Sequence, residues 1–276
     1  MLEQEYRSEI FVHKKQLKGN IDLIRQRVGK DTGMMAVIKD NAYGHGITES
    51  AQFLEEYCDW FCVSEISEAV RIREAGIQLP VLVFEVPRKP ALPLYREHKI
   101  TATVSDLECL RSFPSDIEFH LMFDTGMHRL GLLPEQVSEV QQELKVAKEK
   151  KCTGIFTHFS DAEEVEHPKV AHQLQLFKQI RSQFTDNLFT HMANSGSIMN
   201  YGREVVFDAV RPGGILFGYS AQPFQYHDLH PAIEWKSFIM QVRPVKKGEY
   251  VGYSSGWQVE QDGYIGTIPV GYGDGI

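Results

Sequence analysis

The stretch Met34-Met35-Ala36-Val37-Ile38-Lys39-Asp40-Asn41-Ala42-Tyr43-Gly44-His45-Gly46 decides how this chain is read. Five apolar residues run directly into a lysine, and a turn holding tyrosine, histidine and two glycines follows. A short continuous apolar run predicts a strand buried on both faces, and Gly44 and Gly46 predict that it ends there. Lys39 then sits where a strand leaves the core. Lysine is seldom fully buried unless it is paired or used. Two readings are open: a strand-end lysine reaching for solvent, or a desolvated amine that forms a Schiff base with a carbonyl cofactor.

Outward from this stretch, strand-like and helix-like patterns alternate. Strands are predicted at Met34–Ile38, Trp60–Ser64, Pro80–Phe84, Ile100–Val104, Glu118–Phe123, Gly154–Phe159, Leu188–Met192 and Ala209–Arg211. Amphipathic helices such as Ser67–Ala75, Pro134–Lys148 and Val170–Phe184 lie between them. Eight such units argue for an α/β fold with a closed (β/α)8 barrel. An open doubly wound sheet is the alternative, but it usually carries GxGxxG after its first strand, and that motif is absent.

After about residue 230 the texture changes. Ile233–Pro244, Tyr250–Tyr253 and Tyr264–Val270 read as strands with no helices between them. The expected division is a barrel over residues 10–228 and an all-β domain over 229–276, joined by 1–9. The β domain looks incomplete, because the chain stops just past an apolar strand.

The net charge is −8 and no basic block stands out, which argues against a nucleic-acid partner. No apolar run is long enough to span a bilayer, and the N-terminus lacks the apolar core of a signal peptide. Cys58, Cys62, Cys109 and Cys152 show neither CxxC nor zinc-ligand spacing. They read as reduced thiols of a cytoplasmic protein without a metal site.

In such a barrel the chemistry sits at the C-terminal ends of the strands. Lys39 and Tyr43 follow strand one. Asp124 to Arg129 follow strand five, His158 and Ser160 end strand six, and His191, Asn194 and Ser195 end strand seven. Arg211-Pro212-Gly213-Gly214 lies at strand eight. A histidine at a strand end is commonly a hydrogen-bonded structural residue, so the convergence carries more than any member. Loops after strands seven and eight are the usual phosphate cradle. Here they offer the Ser195 hydroxyl and the N–H groups of Gly213 and Gly214, although two tight turns without a ligand would read the same way. A Schiff-base lysine and a phosphate cradle together suggest pyridoxal phosphate.

Lys39 to Gly46 resembles the pyridoxal-phosphate signature of bacterial alanine racemases. The resemblance continues in Asp124-Thr125-Gly126-Met127-His128-Arg129-Leu130-Gly131, in Thr157-His158-Phe159, in His191-Met192-Ala193-Asn194-Ser195 and in Arg211-Pro212-Gly213 with Leu216-Phe217-Gly218. Val251-Gly252-Tyr253 and Ile268 to Gly275 match near the end. The blocks stand in family order, and together they are specific.

The resemblance implies an isomerase that interconverts L- and D-alanine and supplies D-alanine for peptidoglycan. Lys39 would hold the cofactor and act as one base. Tyr253 would be the second base, reaching into the barrel of the partner subunit of a homodimer. Two bases are needed because one must remove the α-proton and the other return it from the opposite face. His158 would pack on the cofactor, and Arg129 would meet the cofactor oxygen or the substrate carboxylate, the latter well suited to a guanidinium. Arg211 would face the pyridine nitrogen. Tyr43, Ser195, Gly213 and Gly214 would hold the phosphate.

Three positions depart from the family pattern. Met122 stands where a lysine, often carbamylated, orients the arginine, so a bound anion or another side chain would have to orient Arg129. Asp40 and His128 replace small residues. Family members also run on past this chain's end, which implies a fragment or an altered activity. Other readings are a serine or broad-specificity racemase, a decarboxylase of the same barrel-plus-β layout, and a pyridoxal-phosphate storage protein. Decarboxylases tend to place an acid at the pyridine nitrogen, and Arg211 argues against them.

Overall fold

A computed structural model describes residues 6–184, 187–220 and 226–275. The chain forms two compact units, Lys14–Ala232 and Met1–His13 with Ile233–Ile276. In chain order the first strand is β1 (Ser8–Val12), which belongs to the second of these units. The strands of the larger unit are β2 (Gly33–Val37), β3 (Trp60–Val63), β4 (Val81–Val83), β5 (Ala102–Val104), β6 (Glu118–Met122), β7 (Lys151–Phe156), β8 (Phe189–His191) and β9 (Ala209–Val210). They make one parallel sheet in the order β4-β3-β2-β9-β8-β7-β6-β5. A Leu82–Thr101 bridge joins the last strand's approach back to β4, and the Thr101 N–H reaches the Val81 carbonyl at 2.9 Å. The eight predicted strands therefore exist and form the expected barrel.

Why the strands read as unbroken apolar runs is visible in β2. Met35 and Val37 pack inside the barrel with Cys62, Leu82, Met122 and Phe156. Met34, Ala36 and Ile38 face the other way, into the layer between strands and helices. Side chains alternate along a strand, so a strand buried on both faces needs both sets apolar. The sixth predicted barrel strand differs most: it runs Lys151–Phe156 rather than Gly154–Phe159. Its earlier end frees Thr157 and His158 to turn into the mouth.

The smaller unit holds three antiparallel pairs among the described residues. β1 pairs with β10 (Ile233–Ser237), β11 (Gln241–Val245) with β14 (Gly263–Thr267), and β12 (Tyr250–Val251) with β13 (Trp257–Gln258). The expected single strand Ile233–Pro244 is thus two, because the chain changes pairing partner around Phe238–Met240. The expected strand Tyr250–Tyr253 stops at Val251: Gly252 at φ 83° turns the chain into a 3-10 turn at Tyr253–Ser255. No helix among the described residues is long and apolar enough to cross a membrane.

Candidate active site

A cavity of about 400 Å³ opens at the C-terminal ends of the barrel strands. Its walls bring together Lys39, Tyr43, Arg129, His158, Ser195, Arg211 and Gly213, seven residues that the sequence places on five separate loops. Gly214 is not among the wall residues; its carbonyl accepts from the Tyr219 N–H. Tyr253 lies in the smaller unit and is 99% exposed.

Lys39 is half-buried and its Nζ is 3.0 Å from Asp40 Oδ2. The backbone after it is unusual. Asp40, Asn41, Ala42 and Tyr43 all have φ between 53° and 55°, a turn of left-handed helix built without glycine. Such a turn costs about 1–2 kcal/mol per residue, so neighbouring structure must hold it. Two of the four are Asp and Asn, the side chains that tolerate this region best. The turn carries Tyr43 to Gly213. A Cβ at Gly213 would lie 2.5 Å from Tyr43 Oη, so only glycine admits this approach. The Gly213 N–H donates to Ser195 Oγ at 3.0 Å. A phenol, a hydroxyl and a backbone N–H thereby meet at one corner of the cavity. Burial, with the Asp40 charge, pushes the Tyr43 phenol up to about 12, so it stays a donor.

Arg211 is 2% exposed and anchors the opposite corner. Its Nη1 donates to His191 Nδ1 at 2.7 Å. Its Nη2 reaches the Thr157 carbonyl at 2.7 Å, the Met192 carbonyl at 3.1 Å and His158 Nδ1 at 3.1 Å. Arginine can only donate, and this fixes every tautomer in the chain that follows. His191 Nδ1 accepts, so its proton is on Nε2, which donates to His120 Nδ1 at 2.9 Å. His120 then carries its proton on Nε2, a buried atom with no partner. Gly154 makes the room, since a Cβ there would lie 2.6 Å from the His120 ring. Burial and then the Arg211 charge hold His120 and His158 down to about 3, and they lower His191 as well. Burial lowers Arg211 itself to about 10, which leaves it charged at neutral pH.

One nitrogen of Arg211 remains without any hydrogen bond. Its Nε is buried without a partner among the described residues. A buried unsatisfied donor is costly, and this one sits in a residue that lines the cavity. It suits an acceptor such as an aromatic ring nitrogen.

Two families of support lie behind these groups, and the sequence reading missed both. Gln173 is 1% exposed on the helix Pro168–Ser182. Its Nε2 donates to the His158 carbonyl at 3.0 Å and Thr125 Oγ1 at 3.4 Å, and its Oε1 accepts from the Ser160 N–H at 3.1 Å. It staples the loop of Arg129 to the loop of His158. Its only sequence signal is a glutamine on the apolar face of a helix. Glu68 supports the left-handed turn in a similar way, and nothing in the sequence near Lys39 points to it. Asp124 shapes the Arg129 loop: Oδ1 accepts from the N–H groups of Gly126, Met127 and His128. Burial would raise this carboxyl, but those N–H groups and the His128 charge hold it below its ordinary value. Met122, 5% exposed, lies in the cavity wall without contributing a charge.

The family model "Alanine racemase, N-terminal domain" matches residues 12–221, and "Alanine racemase, C-terminal domain" matches 232–276. The chain belongs to the alanine racemase family. The alanine racemase of Streptococcus agalactiae is 34% identical over 272 residues, covering 94% of this chain and 73% of that one. The alanine racemase of E. faecalis superposes with a TM-score of 0.90 at 29% identity, covering 100% of this chain and 78% of that one. The enzyme of Bacillus anthracis, solved with bound L-Ala-P, gives 0.86 at 27% identity over 98% and 74% of the two chains.

Members of the alanine racemase family depend on pyridoxal phosphate, and the cavity fits that group at three points. Lys39 offers an amine, the Tyr43–Ser195–Gly213 corner offers donors for a phosphate, and Arg211 Nε offers the unused donor for a ring nitrogen.

Proposed function

We propose that this chain is a pyridoxal-phosphate-dependent racemase interconverting L- and D-alanine, with Lys39 and Tyr253 as its two bases. The observation that carries the reading is the unpartnered Arg211 Nε in the same cavity as Lys39 and the Tyr43–Ser195–Gly213 corner. The cofactor, when bound, supplies an electron sink that makes the α-proton of an amino acid removable. Everything else falls to the chain. Tyr43, Ser195 and the backbone at Gly213 bind the phosphate. Lys39 Nζ holds the cofactor and moves a proton on one face of the substrate. Tyr253 serves the other face from the partner subunit of a homodimer. Arg129, exposed at the rim, binds the substrate carboxylate.

Arg211 sets the strength of the sink. A guanidinium donates and does not readily surrender its proton. An acceptor facing it stays unprotonated, which keeps the sink weak and disfavours side reactions such as transamination. His158 and His191, held neutral, present lone pairs to Arg211 and keep it in place.

The test is an assay of purified protein with L-alanine in deuterated water, following α-deuterium and the D-isomer. The wild type is expected to show the near-visible band of bound cofactor and to form D-alanine. Lys39→Ala should lose both. Retention of the covalent band by that variant, or a cofactor-loaded wild type that leaves L-alanine unchanged, overturns the assignment.

A further inference from the structure

We propose that Glu68 is a positioning residue for this site: its buried carboxylate clamps the left-handed turn Asp40–Tyr43 and fixes how Lys39 and Tyr43 enter the cavity. The proposal rests on the roles given to those two residues above. Glu68 is 7% exposed on the helix Ile66–Glu74. Its Oε1 accepts from the Asn41 N–H at 3.2 Å and its Oε2 from the Ser64 N–H at 2.9 Å. Ser64 lines the cavity, and Asn41 lies midway between Lys39 and Tyr43.

The turn closes part of its own hydrogen bonding. The Ala42 N–H donates to the Ile38 carbonyl, and the Gly44 N–H to the carbonyls of Asp40 and Asn41. The Asn41 N–H goes outward instead, to Glu68. The Asn41 side chain is also engaged: Oδ1 accepts from the Ile47 N–H at 3.1 Å and lies 3.4 Å from Arg71 Nη2. Asn41 is therefore the fastening point of a strained turn, and Glu68 supplies its main-chain anchor. A carboxylate can accept at both oxygens at once, which is what two backbone N–H groups on different loops require. Loss of the clamp lets the turn relax toward commoner backbone angles, and the amine of Lys39 moves with it.

The experiment compares the full wild-type chain with Glu68→Gln, Glu68→Gln/Asp40→Gly and the Asp40→Gly reference. Glutamine keeps the volume but turns one oxygen into an NH2 that cannot accept. The readouts are kcat and KM for both alanine enantiomers, the near-visible band, the melting temperature, and hydrogen exchange of the 39–46 segment. Glu68→Gln should exchange faster at 39–46 and shift the band. Its kcat should fall roughly tenfold to a hundredfold, the scale set by a misplacement of about 1 Å, with KM changed far less. Asp40 is exposed at φ 54°, and glycine takes that angle freely. The double variant should therefore recover most of the lost kcat relative to Asp40→Gly alone. A Glu68→Gln protein that melts earlier but keeps the wild-type kcat and band overturns the proposal, as does a double variant with no recovery. If the wild type itself shows neither band nor racemisation, the roles of Lys39 and Tyr43 fail. Exchange at 39–46 then still decides the clamp: faster in Glu68→Gln upholds it, unchanged overturns it.

Discussion

Two histidines buried inside the barrel should make it acid-labile well above the carboxylate range. His120 and His191 are both 0% exposed, and burial, followed by the Arg211 charge, holds both neutral far below their ordinary value. In the unfolded chain each regains a value near 6.5. Between about pH 3 and 6.5 the unfolded state therefore binds more protons than the folded one, and stability must fall as pH falls. From pH 6.5 to 5.5 each such histidine costs about 1 kcal/mol, so the pair costs about 2 kcal/mol, and His158, held down to about 3 in the same way, brings the total to about 3 kcal/mol. Carboxylates contribute little in this window. Asp124, for example, is held below its ordinary value, so its stabilisation is lost only at lower pH. The assay is urea unfolding of the cofactor-free protein at the two pH values. His120→Gln offers the control: its amide oxygen can still accept from His191 Nε2, but it does not titrate, so the pH-dependent loss should drop by about a third. Equal unfolding free energies at pH 6.5 and 5.5 in the wild type would refute the reasoning, as would an undiminished pH dependence in His120→Gln.

Three further outcomes are expected. Gly213→Ala places a methyl 2.5 Å from Tyr43 Oη; the phenol must move, and affinity for pyridoxal phosphate, titrated by absorbance, should fall tenfold or more, about 1.4 kcal/mol. Gln173→Met strips partners from the His158 carbonyl and Ser160 N–H; at about 1–2 kcal/mol each and about 2–4 °C per kcal/mol, the melting temperature should drop by about 4–16 °C, and a drop below 2 °C would remove Gln173 as a staple. Tyr253→Phe should keep the near-visible band and lose roughly a hundredfold to ten-thousandfold in racemisation, with deuterium exchange of one enantiomer hit harder than the other; equal rates in both directions at the wild-type level would take Tyr253 out of the mechanism.

The chemistry-bearing residues were readable because each stands just past an apolar run that could only be a buried strand. Lys39 follows Met34–Ile38 and Arg211 follows Ala209–Val210, so strand ends alone placed them at one mouth. The backbone between Lys39 and Tyr43 was not readable. Local preference puts Ala42 and Tyr43 at negative φ, and the left-handed turn exists because Glu68, on a different unit of the barrel, takes the Asn41 N–H. That is a tertiary override of local propensity, which no window of sequence around Lys39 contains. Gln173 was hidden for a related reason: on an apolar helix face a glutamine reads as a tolerated exception until its three partners are in view. In the smaller unit, the run Ile233–Pro244 hides its break because pattern reports burial and not pairing partner.

The buried polar chain shows what the structure adds even where the residues were known. Taken singly, His120, His191 and Arg211 are three polar groups in an apolar barrel, each a cost. Taken in sequence, Arg211 fixes the proton on His191 Nε2, which fixes the proton on His120 Nε2. The direction of donation runs away from the cavity. Three of the five guanidinium hydrogens, one on Nη1 and two on Nη2, are shared among four protein acceptors, and Nε is left without a partner among the described residues. Reversal of the chain would require His191 to donate into Arg211, which an arginine cannot accept. The cavity therefore always receives a donor and never an acceptor from this corner. Under the proposed function a ring nitrogen kept unprotonated needs that polarity; the arginine supplies it, and the neutral His191 and His158 that accept from Nη1 and Nη2 hold the guanidinium in place.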